Sequence, residues 1–109
     1  MKCTMPDDEF RKIHRKIPVW FKKPNQINSH ILIKYLENTN DGNYIEIERL
    51  SDLCNSIETF KTNFAQMCTI GKKNHACIFE KQNALVRLIP SIKKFVLDNY
   101  NQFLKEQKK

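Results

Sequence analysis

Hydrophobic positions along the chain change their spacing several times, and each change marks an element. Phe10, Ile13, His14 and Ile17 recur at helical intervals behind Pro6, Asp7, Asp8 and Glu9, with Arg15 and Lys16 at the far end. Acids first and bases last is the order a helix dipole favours, so the spacing predicts a short helix from Met5 to Ile17. Pro18 lacks the amide hydrogen that a continuing helix needs and is expected to stop it. Val19, Trp20 and Phe21, bounded by Lys22, Lys23 and Pro24, then read as an apolar and basic arm.

From Asn25 the period becomes regular. Ile27, Ile31, Leu32, Tyr35 and Leu36 repeat at three-to-four spacing until Asn38, Thr39, Asn40, Asp41 and Gly42 break it, which predicts a longer helix. Tyr44 to Ile47 reads as a short β piece. Glu48 to Asn55 carries Leu50, Leu53 and Cys54 on one side of a short second helix. Asn55 and Ser56 supply a turn, with Ser56 as cap for a third helix whose stripe is Ile57, Phe60, Phe64, Met67 and Cys68. Gly71 ends that helix, and Lys72, Lys73, Asn74 and His75 form a polar connection. Two β-rich runs, Ala76 to Phe79 and Leu85 to Ile89, predict a hairpin across residues 80–84. Pro90 opens a last helix with the stripe Ile92, Phe95, Val96, Tyr100, Phe103 and Leu104.

The expected class is therefore mainly α with a small β-hairpin (α+β). Helix, short strand, short helix, turn, helix, hairpin is the order of the winged helix-turn-helix, and the segments YIEIERLSDLC, SIETFKTNFAQMC and ACIFEKQNALVRLI carry a resemblance to that superfamily. It covers residues 25–89. The chain divides on this reading into an N-terminal helix and arm, 1–24, and a winged-helix domain with a C-terminal helix, 25–109. One departure is the turn between the second and third helices, which lacks the glycine often found there.

The resemblance implies that the third helix enters the major groove of duplex DNA while the wing touches the backbone. Opposite the apolar stripe of that helix lie Thr59, Thr62, Gln66 and Thr69, none of them an acid. Gln66 has the donor and acceptor pair that reads adenine, and Thr62 offers a hydroxyl and a methyl. Lys72, Lys73, His75, Lys81, Gln82 and Arg87 form the expected phosphate-contacting set.

Charge fits a polyanion partner. The chain carries a net +7, distributed as +4 over residues 1–24, −3 over 25–55 and +6 over 56–109. Such charge serves RNA as well as DNA, although the usual RNA-binding signatures are missing, so both stay open. A role in transcription regulation, or as an accessory module, follows from the resemblance.

Composition adds boundaries. With 109 residues, 40% of them hydrophobic, a single domain with a modest core is expected. The charged run Asp7 to Lys12 occupies the place of a signal segment, and no apolar run is long enough to span a bilayer, which predicts a cytoplasmic protein with no membrane contact. Cys3, Cys54, Cys68 and Cys77 show no C-x-x-C pair, and His14, His30 and His75 complete no zinc pattern, so no metal or cofactor is expected. Catalytic fingerprints are likewise missing, and no enzyme is predicted. Trp20, Phe21, Tyr100 and Phe103 add apolar surface that predicts a homodimer or a protein partner. The competing reading is a winged helix devoted to such protein contacts without DNA.

Overall fold

The N-terminal helix does not stop at Pro18. In the computed structural model, which describes residues 6–71 and 75–107, α1 runs from Asp7 to Lys22. Pro18 leaves the His14 carbonyl without its helical donor, a defect on the order of 3 kcal/mol. Trp20 and Phe21 lie seven and eight residues after Ile13, on the same helical face, and continuing the helix buries both beside Ile13 and Ile17. Each large side chain buried is worth about 1.5–3 kcal/mol, so the two together offset the defect. There is consequently no arm, and Met5, the expected start, lies outside the described residues.

The next elements follow the expected order: α2, Ile27–Glu37; β1, Ile45–Glu46; α3, Ile47–Leu53; and α4, Phe60–Met67. The hairpin strands are β2, Phe79–Gln82, and β3, Leu85–Leu88, and α5 spans Pro90–Gln107. Among the described residues the fold is thus α+β, five helices with one three-stranded antiparallel sheet in the order β1-β3-β2.

Two boundaries differ from expectation. Ser56 caps nothing: residues 54–59 form turns, the Phe60 amide donates to the Ile57 carbonyl, and Thr59 stands at the head of α4. The hairpin is also tighter than expected. Gln82 pairs with Leu85 across the two-residue turn Asn83–Ala84, where Asn83 adopts a left-handed φ of 56°. Ala76 to Ile78 are buried, but their amides are engaged elsewhere. The Cys77 N–H donates to Glu9 and the Ile78 N–H to the Met67 carbonyl.

The core lies where α2, α4, α5 and the inner face of the sheet meet. Tyr35, fully buried, donates its hydroxyl to the Asn43 carbonyl and accepts from the Leu88 N–H, joining α2 to the loop after it and to β3. Gly42, in that loop, has a φ of 74°, and a Cβ there would stand 2.8 Å from the Leu88 Cδ1. The outer pair α1 and α5 is parallel: His14 packs its ring, tilted, on Phe95, and further along both helices Phe21 packs on Phe103 in the same way.

Candidate nucleic-acid interface

Phe60, Phe64 and Met67 turn one side of α4 into the core. That fixes the opposite side outward, with Thr62 exposed and Gln66 half-buried. A helix of eight residues spans only about 12 Å, so just these two of the four expected readers stand on the helix itself. Thr59 and Thr69 flank its ends, both exposed. Asn63 donates to both the Oγ1 and the carbonyl of Thr59, at 2.9 Å each, so the Thr59 hydroxyl is held by its own helix. Lys61 is exposed on α4 beside Thr62. It escaped the sequence reading because it falls between the apolar stripe and its opposite.

The hairpin presents a different chemistry from the one expected. Lys81 is exposed and lies near enough to Cys68, just past α4, for its charge to favour that thiolate; burial nevertheless dominates and, with Cys77 adding to it, pushes the thiol up to about 12. Arg87, by contrast, is paired with Glu80 at 2.5 Å in the register Glu80↔Arg87, and its guanidinium lies 4.8 Å from the centre of the Tyr44 ring. The Tyr44 hydroxyl in turn donates to the Gln82 Oε1 at 2.7 Å. Glu80, Gln82, Arg87 and Tyr44 therefore form one network on the outer sheet face, in which the Arg87 charge is offset by Glu80 and the Gln82 Oε1 is taken by Tyr44.

His75 also leaves the phosphate set. Its Nε2 lies 2.8 Å from the Asn63 Oδ1, and its ring stands edge-on to Trp20. Burial, with the nearby Lys16 charge, holds its pKa below the usual value of 6.5, so the ring is neutral at physiological pH. Lys72 and Lys73 lie outside the described residues.

The segment leading to the hairpin is gripped by α1. Glu9 and Lys12, both buried, form an ion pair at 3.3 Å. The Lys12 Nζ donates to the Gly71 carbonyl at 2.7 Å, while the Cys77 N–H donates to the Glu9 Oε2 at 2.9 Å. Two charges three residues apart in the first turns of a helix read from sequence as a dipole and a solvated face; only tertiary packing gives them this task.

The expected dimer or partner residues face inward. Trp20 and Phe21 are core residues, 4% and 7% exposed, and Tyr100 and Phe103 are half-buried against Phe21, with ring centroids at 6.0 and 5.5 Å. The cause is again the continuation of α1, which brings its aromatic end onto α5. Elsewhere, an open groove of about 660 Å³ lies between the 39–41 loop and α5. Its charges are mixed, Lys93 and Lys94 beside Asp41 and Asp98, and the Lys94–Asp98 pair at 2.9 Å is internal to α5. No helix among the described residues is long and apolar enough to cross a membrane. Comparison with protein-family models, with curated proteins and with solved structures returns no match for this chain.

Proposed function

We propose that this chain is a nucleic-acid-binding module of the winged-helix type, that its target is duplex DNA, and that it serves as a regulator or accessory module. The observation that carries the reading is topological. The order α2-β1-α3-α4-β2-β3 with β3 in the centre of the sheet, between β1 and β2, leaves α4 with its polar side outward and the hairpin carrying an exposed Lys81. Thr62 and Gln66 supply base-edge donors and acceptors, while Lys61 and Lys81 supply charge for flanking phosphates.

The rival reading as a protein-contact module draws less on Trp20 and Phe21, which are core residues, and keeps the half-buried Tyr100 and Phe103 of α5. The proposal is tested by fluorescence anisotropy with duplex DNA, single-stranded DNA and duplex RNA of equal length over a range of salt. Expected is tightest binding to DNA duplex, with log affinity falling linearly against log salt. Weak binding that does not change with salt refutes it, and preference for RNA or single strands redirects it.

A further inference from the structure

Among the described residues, Arg87 of the hairpin is paired with Glu80, which leaves Lys61 and Lys81 as the cations of the α4–hairpin surface outside an ion pair. More such cations are gathered elsewhere. Arg11, Arg15 and Lys22 are exposed on α1 at spacings of four and seven residues, which places them along one side of the helix, and exposed Lys23 follows directly. Among the described residues no ion pair engages any of the four. The buried faces of α1 are accounted for: Ile13, Ile17, Trp20 and Phe21 face the core, and Glu9 and Lys12 face the Gly71–Cys77 segment. The basic row lies on the side left to solvent, which at the first turn also carries Asp7 and Asp8.

We infer that this outward row of α1 is a second contact surface for the phosphate backbone, engaging duplex DNA that flanks the part touched by α4. The inference rests on the nucleic-acid reading and adds where most of the binding charge comes from. Length fits the task, since the eleven residue steps from Arg11 to Lys22 cover about 16 Å of helix, comparable to the rise of about five phosphates along one strand. Position fits as well. Trp20 of α1 stands edge-on to His75, and His75 bonds Asn63 on α4, so α1 adjoins the outward helix rather than lying across the molecule. Charge alone would also suit an anionic membrane, but a helix lying on lipid needs an apolar face to insert. Only two large apolar residues of α1 are exposed, Val19 and Phe10, and Phe10 packs its ring on His14, which is too little for a continuous inserting face.

The test is the full chain carrying Arg11→Gln, Arg15→Gln and Lys22→Gln together, beside Lys81→Gln. All four positions are exposed, and unchanged circular dichroism and Tm establish that the variants fold. Anisotropy is measured on a short duplex and on one extended by a helical turn at each end. The triple variant is expected to bind the long duplex more than tenfold more weakly at 0.1 M salt, with a salt slope shallower by about 2.7, against about 0.9 for Lys81→Gln. The wild-type advantage of the long over the short duplex is expected to vanish in the triple variant. An unchanged slope in the triple variant, with Lys81→Gln still losing its share, overturns the inference and leaves the α4–hairpin reading standing. Loss of sedimentation with phosphatidylserine vesicles without any change in the DNA slope also overturns it, in favour of a membrane. A wild-type chain that binds no duplex at all removes the parent reading and the inference together.

Discussion

Replacing Glu9 by Ala is expected to damage this protein more than any other single change to a charged side chain. Its carboxylate faces the buried Lys12 ammonium at 3.3 Å and accepts the Cys77 N–H at 2.9 Å. Truncation removes an acceptor of a buried amide and a counter-charge of Lys12, whose Nζ also donates to the Gly71 carbonyl at 2.7 Å. Breaking a buried pair from one side costs about 3–5 kcal/mol, because the other charge stays desolvated. A lost acceptor alone accounts for about 1–3 kcal/mol of this. Against a total stability of about 5–15 kcal/mol the loss is large, and for a chain of this size it lowers Tm by on the order of 15 °C. Urea unfolding followed through Trp20 fluorescence measures it, and an unchanged m-value keeps the comparison two-state. Glu9→Gln retains an oxygen for the Cys77 N–H and is expected to lose less. Glu9→Leu combined with Lys12→Met is expected to be more stable than either alone, since no charge is then stranded. A Glu9→Ala loss below about 1 kcal/mol, or full additivity in the double variant, refutes the view that this pair fastens α1 to the Gly71–Cys77 segment.

Gly42→Ala is expected to cost about 1–3 kcal/mol in the same urea assay, through its left-handed φ and the 2.8 Å approach to Leu88; equal stability counts against that geometry. Burial raises Tyr35 to about 12, Cys54 to about 11 and Cys68 to about 12. Groups raised in the folded state stabilise it fully below their unfolded values of about 9 to 10 and lose that contribution as pH climbs to about 11–12, so unfolding free energy is expected to fall from pH 8 to pH 11. A flat profile there refutes the burial of these groups. His75 has the opposite sign, its contribution being present above pH 6.5 and lost as pH falls through its lowered folded value. Because it is neutral at pH 7.5, His75→Gln is expected to leave the DNA salt slope unchanged, and a shallower slope means the ring carries charge. Glu80→Gln removes the partner of Arg87 and is expected to steepen that slope, read by anisotropy; no change means Arg87 does not reach phosphate even when released.

Much of this architecture was legible from periodicity, and the misses share a cause. α2, α4 and α5 announce themselves because their buried residues recur at helical spacing and their ends carry breakers. α1 was cut at Pro18 because a local rule, the missing amide, was weighed without the later aromatic residues that share its face. Shifting β2 by a few residues looks minor, yet register determines which side chains stand opposite each other. With Gln82 placed in the turn, Arg87 looked free; with Gln82 paired to Leu85, Arg87 meets Glu80. The Glu9–Lys12 grip was out of reach, since nothing local connects residue 9 with residues 71 and 77. Likewise, the aromatic residues expected to hold a partner were recognised as a group, but their contacts with one another depend on the parallel docking of α1 and α5.

That parallel docking has a kinetic consequence. Most of what fixes α1 lies far along the chain: Gly71 and Cys77 at one flank, Phe95 to Phe103 at the other. Synthesis from the amino end makes α1 before the hairpin and α5, yet α1 can find its seat only after both have been made. Closing so long a loop carries an entropic cost before any contact rewards it. Until then Ile13, Ile17, Trp20 and Phe21 form an apolar stripe short of its counterpart on α5, which makes the nascent chain prone to misassociation through a helix formed well before it is secured.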